Sequence, residues 1–153
     1  MDEEIKYLSG GTELLDRISP LWEKLKKHHV SRSLHFSKDL NSKSFEWRKK
    51  GLISKSRYLR ADIAYNIKEE QDAGYCIATI DNNSRGEIDS LFIDTAYRRQ
   101  GIGKKLTEEA LSWLNNNGAV ENSIYVASGN EEVLGFYESF GFLPRGIHLV
   151  QKI

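Results

Sequence analysis

Three β-rich runs follow one another closely in the middle of the chain, and they constrain its fold more than any other feature. Their sequences are "YLRADIAYNI", "GYCIATI" and "GEIDSLFI", and the short polar segments "KEEQDA" and "DNNSRG" separate them. Runs of β-branched and aromatic residues joined by such short turns are typical of antiparallel strands. The sequence therefore predicts an antiparallel meander that begins near Arg57 and ends at Ile93.

A strand and two helices are predicted before this meander. The opening run "EIKYLS" predicts a short strand, and Thr12 is a candidate N-cap for the helix that follows. Pro20 lies inside that helical pattern, which favours a later start or a kink. The run "SFEWRKKGLIS" predicts a second short helix. The apolar residues at helical spacing in the first helix are Leu14, Ile18, Leu21 and Leu25.

The chain after Ile93 alternates between helix and strand. A helix with one buried face is followed by the strand "SIYVAS", the helix "NEEVLGFYESFG" and a closing strand, "FLPRGIHLVQKI". The predicted order is β-α-α-β-β-β-α-β-α-β, an α/β fold in which helices cover a mixed sheet. No repeat or linker divides the chain, so a single domain over residues 1–153 is expected. The buried face of the first of these helices is predicted to carry Ile102, Leu106, Ala110 and Trp113.

Composition narrows the range of partners and locations. Lys and Arg number 22, as do Asp and Glu, so the chain has no overall basic field to hold nucleic acid or an anionic membrane. The chain has no apolar run near the roughly 18 residues of a membrane span. The acidic start "MDEEIKYL" does not resemble a signal peptide, and a cytoplasmic protein is expected. Cys76 is predicted to be a buried apolar residue, and the four dispersed histidines predict no metal site.

A basic turn with two glycines joins the meander to the next helix. Its sequence, "YRRQGIGKK", fits neither a Walker loop, because Lys105 follows Lys104, nor a dinucleotide fingerprint, because Leu106 replaces the third glycine. First-turn amides of a helix lack internal partners, and glycines such as Gly101 and Gly103 let an anion approach the backbone. The spacing alone leaves two interpretations equally open, a phosphate cradle and a solvated basic turn.

Two segments together resemble the GNAT superfamily of N-acetyltransferases. "LFIDTAYRRQGIGKKL" resembles its acetyl-CoA-binding signature, [QR]-x-x-G-x-[GA] after an apolar strand, with Arg98 at the first position and Gly101 and Gly103 at the glycines. "NEEVLGFYESFGF" resembles the second signature, an Asn-capped helix with a Phe-Tyr pair before a Gly-Phe corner. Both signatures occur in the expected order, which is far more specific than either alone. The resemblance is close over residues 57–153 and holds in outline over 1–56.

The resemblance implies a site for acetyl-CoA between two central strands that splay apart, "EIDSLFI" and "SIYVAS". Backbone groups of Phe92 and Ile93 would pair with the pantetheine arm, and an amide near Phe92 would polarise the thioester carbonyl. Arg98 would supply positive charge, and Asn130 would cap its helix and is a candidate cofactor contact. The backbone amides expected to hold the pyrophosphate are those of Arg99, Gln100, Gly101, Ile102, Gly103 and Lys104.

The resemblance also implies two catalytic side chains. Tyr137 falls on the tyrosine that, in the family, protonates the departing CoA sulfur. Glu87 stands fourteen residues before Gly101, where family members with a glutamate base carry it, and Asp89 is expected on the same strand face. A solvated position for both carboxylates, a water chain as the base and a packing role for Tyr137 all remain open.

These inferences predict an acetyl-CoA-dependent N-acetyltransferase that acts on a primary amine, in first place a small molecule. A non-catalytic acyl-CoA-binding sensor is the alternative, and a nucleotide-binding regulatory domain is a weaker one. The acceptor side is assigned to the N-terminal helices, whose runs "KLKKHH" and "WRKK" are interpreted as solvated faces. The closing strand can pair across the edge of a homodimer.

Overall fold

The computed structural model describes residues 4–153, which form five strands and five α-helices. Short 3-10 turns precede α1, α4 and α5. None of the described helices is both long enough and apolar enough to cross a membrane. The elements are β1 (Ile5–Gly10), α1 (Leu15–Arg32), α2 (Ser37–Ser42), α3 (Phe45–Lys55), β2 (Ser56–Asn66), β3 (Gln71–Asp81), β4 (Arg85–Ile93), α4 (Ile102–Asn116), β5 (Glu121–Ile124) and α5 (Leu134–Glu138).

The strands form one sheet in the order β1-β2-β3-β4-β5. Neighbouring strands from β1 to β4 are antiparallel, which confirms the predicted meander, and β5 runs parallel to β4. The register places Ile63 opposite Tyr75 and Tyr75 opposite Phe92, so large apolar side chains of β2, β3 and β4 share one face. The mixed sheet with helices on both faces confirms the predicted α/β fold class.

The last two strands of the sheet separate after a short stretch of pairing. Only Arg85–Ile88 of β4 pairs with Glu121–Ile124 of β5. From there β4 continues to Ile93 with β3 alone beside it. The backbone edge of β4 that faces away from β3 is therefore open over its second half, as the predicted splay requires.

Two apolar clusters anchor the helices that surround this open edge. On one face of the sheet, α1 and α3 pack against β2, β3 and Phe92 of β4; on the other face, α4 packs against β3 and β4. Trp113 of α4 is only partly buried. The helical side chains buried in the first cluster are Leu15, Ile18, Leu21, Trp22, Phe45 and Leu52. Those buried in the second are Ile102, Leu106, Ala110 and Leu114.

A β-bulge interrupts β4 at Asp89. Ile77 of β3 lies opposite Ser90, but the next residue, Ala78, lies opposite Ile88, so Asp89 is an extra residue on β4. Such a bulge bends the strand and re-aims the side chains next to it, and bulges are common beside active sites. It directs Asp89 to the face of the sheet that α3 covers, where Lys55 and Thr79 contact its carboxylate.

The N-terminal helices differ from the prediction in three details. Thr12 is not an N-cap; it begins a 3-10 turn, and the Glu13 carboxylate instead accepts a hydrogen bond from the Gly11 amide. Pro20 neither delays nor breaks α1, because it lies on the exposed side of a helix whose opposite side is held by the core. A short helix that the sequence analysis did not predict, α2, lies between the two expected helices.

The C-terminal part corrects two predictions. The fifth strand covers "ENSI" rather than "SIYVAS", and the predicted closing strand is not formed within residues 142–153. A strand needs a partner with free backbone groups, and β5 offers only four residues at its edge. Pro144 also lacks an amide donor. Apolar side chains of this segment consequently face solvent, with Ile147 90% and Leu149 88% exposed.

Candidate functional site

The glycine turn begins directly after the open end of β4. The Asp94 carboxylate accepts a hydrogen bond from the Thr95 amide at 2.8 Å and so caps the 3-10 turn Thr95–Tyr97. Arg99 and Gly101 then adopt left-handed backbone conformations, with φ of 63° and 80°. The helix α4 starts immediately afterwards, and its buried apolar face fixes the direction in which its first amides point.

The two glycines of the turn differ in their surroundings. A Cβ at Gly101 would have no neighbour within 4 Å, so the space beside this residue is open, and φ of 80° disfavours any other residue. A Cβ at Gly103 would meet Ile93 and Phe136 at 3.6 Å, which is ordinary van der Waals contact. The unpaired amides and the positive end of the helix dipole therefore face an accessible surface, and this arrangement fits the pyrophosphate of CoA.

Arg98 is held in place at the edge of this turn. Its Nε donates a hydrogen bond to the Ile93 carbonyl at 2.9 Å, and its guanidinium lies 5.7 Å from the centroid of the Phe92 ring. The Ile93 carbonyl was expected to pair with the cofactor, and Arg98 already uses one of its two lone pairs. The geometry thus brings together Phe92, Ile93 and Arg98, three of the residues predicted to bind the cofactor.

Two of the three remaining cations of the turn are paired with neighbouring acids, whereas Arg99 has no ion-pair partner among residues 4–153. Lys104 lies 3.9 Å from Glu108, and Lys105 lies 3.7 Å from Glu109, each one helical turn further along α4. Such pairs reduce the unfavourable effect of positive charge at a helix N-terminus. Gln100 is exposed. This side of the turn presents balanced charge rather than a basic patch.

A cleft of ≈ 270 Å³ lies on the other side of the turn, between α1 and the end of β4. Three residues of the run "KLKKHH" line it, and the two lysines among them are exposed to solvent, as on the solvated face that the sequence predicted. The lining residues are Lys24, Lys27, His28, Phe92, Asp94, Thr95 and Arg98.

The two candidate carboxylates lie together, and a lysine that sequence reasoning missed binds both. Lys55 Nζ donates to Glu87 Oε1 at 2.9 Å and also to Asp89 Oδ1. The Thr79 hydroxyl donates to the other oxygen of Asp89 at 2.6 Å, and Arg48 donates to the Asp89 carbonyl at 2.8 Å. The Asp89 carboxylate is fully buried, whereas the side chain of Glu87 is 33% exposed and that of Lys55 36%.

Burial and charge shift the protonation equilibria of this cluster. Burial and, second, the charge of Glu87 raise the pKa of the Asp89 carboxyl, although hydrogen bonds from Lys55 and Thr79 oppose the shift. Burial disfavours the charged form of Lys55, but the hydrogen bonds and charges of Asp89 and Glu87 outweigh it and raise the pKa of the ammonium. Lys55 is therefore a cation at neutral pH, and Glu87 is the carboxylate that an acceptor can reach.

Tyr137 lies in an aromatic cluster at the second signature. Its ring packs edge-on against Phe136 at 5.3 Å and against Phe142 at 6.3 Å, and burial raises its pKa to about 12. Among the described residues its hydroxyl has no hydrogen-bond partner, unlike the Tyr75 hydroxyl, which lies 2.6 Å from Ser90 Oγ. A half-buried phenol with no such partner is available to a ligand.

Asn130 occupies the expected N-cap position, but its side chain does not cap the helix. Its Oδ1 lies 3.2 Å from Nε2 of His28 on α1, and His28 is also 3.4 Å from Glu132. Arg32, one turn further along α1, lies 3.3 Å from the same glutamate. The C-terminal end of α1 is thereby tied to the segment between β5 and α5, across the gap where β4 and β5 separate.

Cys76 is buried, as predicted, and burial raises the pKa of its thiol, so it is not a nucleophile. Within the described part of the chain, no group of three or more His, Cys, Asp or Glu side chains is arranged to hold a metal ion.

The comparisons with known proteins agree with this geometry. Residues 22–142 match the model of the acetyltransferase (GNAT) family. N-alpha-acetyltransferase 30 of Schizosaccharomyces pombe is 43% identical over 58 residues, which are 38% of this chain and only 39% of that relative. [Ribosomal protein bS18]-alanine N-acetyltransferase of Escherichia coli is 26% identical over 117 residues, covering 75% of this chain and 71% of the relative.

A solved structure shares the fold over nearly the whole chain. An aminoglycoside N-acetyltransferase determined in complex with CoA superposes with a TM-score of 0.67 over 97% of this chain and 94% of its own, at 14% sequence identity. The family match spans both signatures, the open edge of β4 and the glycine turn. The chain belongs to the acetyltransferase (GNAT) family.

Proposed function

We propose that the protein transfers the acetyl group of acetyl-CoA to a primary amine by direct attack in a ternary complex. The observation that carries this proposal is the position of the glycine turn. It lies at the end of β4 where β5 has already separated, so an anion site and an open strand edge are continuous. That combination suits a ligand with a pyrophosphate at one end and an amide-containing arm at the other.

The chain's own groups have distinct roles in this proposal. Amides from Arg99 to Lys104 bind the pyrophosphate, and the open edge of β4, where the backbone groups of Ile93 point away from β3, binds the pantetheine arm beside Phe92. Bound acetyl-CoA supplies an activated acetyl thioester. The neutral amine forms a C–N bond with the carbonyl carbon as the C–S bond breaks; Glu87, directly or through water, takes the amine proton, and Tyr137 protonates the sulfur.

The acceptor class is a primary amine, and the cost of deprotonation favours a weakly basic one. At pH 7, deprotonating an alkyl amine costs about 4–5 kcal/mol, whereas an α-amine with a pKa near 8 costs only about 1 kcal/mol. The less basic amine therefore needs less help from a catalytic base. Small amines with α-amino groups are therefore the first candidates. Peptide N-termini are candidates as well, because the two relatives are named as an N-alpha-acetyltransferase and a [ribosomal protein bS18]-alanine N-acetyltransferase.

A graded amine panel tests the proposed function. Release of free CoA thiol would be measured with alkyl amines, amino acid amides and short peptides at a constant pH. We expect amine-dependent release that is fastest for the least basic acceptors. CoA binding without release for any amine would reject catalysis and favour an acyl-CoA sensor instead.

Tyr137→Phe tests the proposed proton donor. A phenol with a pKa of about 12 stays protonated at neutral pH, but it is a weaker acid than an ordinary tyrosine. We therefore expect kcat to fall by about tenfold, at the low end for general acids. Phe140→Leu, which alters the same aromatic cluster without removing a hydroxyl, is the control. A Tyr137→Phe variant with full kcat would show that Tyr137 only packs.

A further inference from the structure

The cleft between α1 and the end of β4 carries an excess of positive charge, although the chain as a whole is neutral. The formal net charge of the whole protein is zero. The cleft nevertheless has three permanent cations, Lys24, Lys27 and Arg98, and Asp94 is its only carboxylate. Two of these cations come from α1 and the third from the glycine turn, so they approach the cleft from opposite walls.

The three cations differ in how far neighbouring acidic groups compensate their charge. Lys24 lies 2.6 Å from Asp94, so that pair is nearly neutral. Arg98 donates through Nε to a backbone carbonyl, which leaves its charge uncompensated. Within residues 4–153, Lys27 has no ion-pair partner, whereas Lys24 and Lys26 on the same helix are both paired with acids. Lys27 and Arg98 are thus the charges available to a ligand.

A second cleft of similar size has no such excess of positive charge. The turn is flanked on its other side by a cleft of ≈ 260 Å³, lined by Gly101, two lysines and two glutamates. There each lysine has a glutamate within 4 Å, at 3.9 Å for Lys104 and 3.7 Å for Lys105. Of these two clefts beside the turn, only the one on the α1 side is lined by more permanent cations than carboxylates.

We propose that α1 supplies a second wall of the cofactor site, in which Lys27, opposite Arg98, binds a phosphate group of CoA. This inference rests on the proposed function, since it takes CoA as the ligand. Arg98 lines the cleft and is also the first residue of the R-x-x-G-x-G segment, so the cleft begins where the turn begins. An anion that bridged the turn and the cleft would be held by backbone amides on one side and by Lys27 on the other.

Binding measurements on the intact protein test the role of Lys27. Isothermal titration calorimetry would compare CoA, 3′-dephospho-CoA and pantetheine with the wild type and with Lys27→Ala, Lys27→Glu and Lys27→Arg. Lys50→Ala, which removes an exposed lysine of α3 outside both clefts, is the matched control. Melting temperatures would verify that each variant is folded, which we expect because Lys27 is exposed.

We expect Lys27→Ala to weaken CoA binding about fivefold and Lys27→Glu about 25-fold, with recovery in Lys27→Arg. Pantetheine, which has no phosphate, should bind every variant alike, and the losses for CoA should shrink at high salt. Equal losses for CoA and dephospho-CoA would locate the pyrophosphate at Lys27, and a loss confined to CoA would locate the 3′-phosphate there.

Two results would overturn the inference: wild-type affinity for CoA in Lys27→Glu, or an equal loss of affinity for pantetheine. Its failure is distinguishable from failure of the proposed function. CoA binding that depends on Lys27, without amine-dependent release of CoA, would reject catalysis and leave the second wall in place. If the wild type does not bind CoA at all, both proposals are wrong.

Discussion

The two halves of β4 illustrate two ways of building a binding surface. Its C-terminal end leads into the glycine turn, where left-handed Gly101 and the first amides of α4 form an open, exposed surface. Its N-terminal half carries Glu87 and Asp89, which are held by Lys55 from α3. Backbone groups dominate at the first end and side chains at the second.

This difference separates binding from stability. Nothing in the core depends on the space beside Gly101, so that surface can be damaged while the fold persists. The Asp89 carboxylate is fully buried and needs its cation, so changes there affect folding as well as chemistry. The following predictions test that separation, from the largest expected effect to the smallest.

Gly101→Val should reduce CoA affinity by at least about 100-fold, because the side chain fills the space of the bound phosphate and several charge-assisted hydrogen bonds are lost. The left-handed conformation should cost about 1–2 kcal/mol in stability, or a few degrees in Tm. Calorimetric titration and thermal unfolding measure the two effects.

Gly118→Val is the matched control for this change. Gly118 follows the other end of α4, with φ of 83° and likewise no neighbour within 4 Å of an added Cβ. It should lower Tm by a similar amount and leave CoA affinity unchanged. If both variants lose affinity equally, strain in α4, rather than blockage of the turn, explains the result.

Lys55→Met should destabilise the protein by about 1–3 kcal/mol, because it leaves the Asp89 carboxylate buried without a cation. The loss should be smaller than for a fully buried ion pair, because the Lys55 side chain is about one-third exposed. Lys49→Met, a change on the same helix as Lys55, removes an exposed pair with Asp16 of α1 and should destabilise the protein much less. Denaturant unfolding measures both free energies.

The pH dependence of the Lys55→Met loss has a definite sign. Because the pKa of Asp89 is raised in the folded protein, its carboxyl becomes neutral on acidification before an ordinary aspartate does, and a neutral carboxyl needs no cation. The pKa of Lys55 is raised as well, so its contribution disappears as pH rises through that value. The loss should be greatest near neutral pH; a loss that grows on acidification would contradict this account.

Glu87→Gln should lower kcat/KM by up to about tenfold below pH 7 and by less at high pH, where the amine loses its proton without help. Steady-state rates across pH, with the acceptor found in the amine panel, would measure this. Glu46→Gln, which changes an exposed carboxylate on α3, is the control. An unchanged pH profile would remove Glu87 from the mechanism and leave water as the base.

The same contrast explains which features the sequence could predict. The cofactor end is encoded locally: strand, turn, two glycines and helix occur in consecutive residues, so the signature and its backbone geometry could be found together. Lys55 lies 32 and 34 residues before its two carboxylate partners, and no spacing rule links them. The bulge at Asp89 is set by pairing with β3, which a single strand does not reveal.

The errors in the fold have a related cause. The meander was predictable because each strand's partner is its neighbour in sequence, whereas the closing strand depended on a distant edge that β5 does not provide. Asn130 was assigned as a cap from its position alone, but His28 of α1, 102 residues away, engages its side chain. Likewise, no spacing rule could show that the exposed basic run on α1 lies beside the end of β4, because only tertiary packing brings it there.

Lys105→Ala gives the smallest expected change and tests whether charge or backbone holds the anion. Lys105 is paired with Glu109 at 3.7 Å and lies 5.2 Å from the centroid of the Tyr7 ring, so much of its charge is already offset. We expect CoA affinity to fall only about two- to threefold at 50 mM salt and the difference to vanish near 500 mM, where exposed charges are screened. Lys27→Ala should have the larger effect under the same conditions, because Lys27 faces the uncompensated side of the turn. A loss of tenfold or more in Lys105→Ala would mean that the lysines, rather than the amides freed by Gly101, dominate binding at this end of β4.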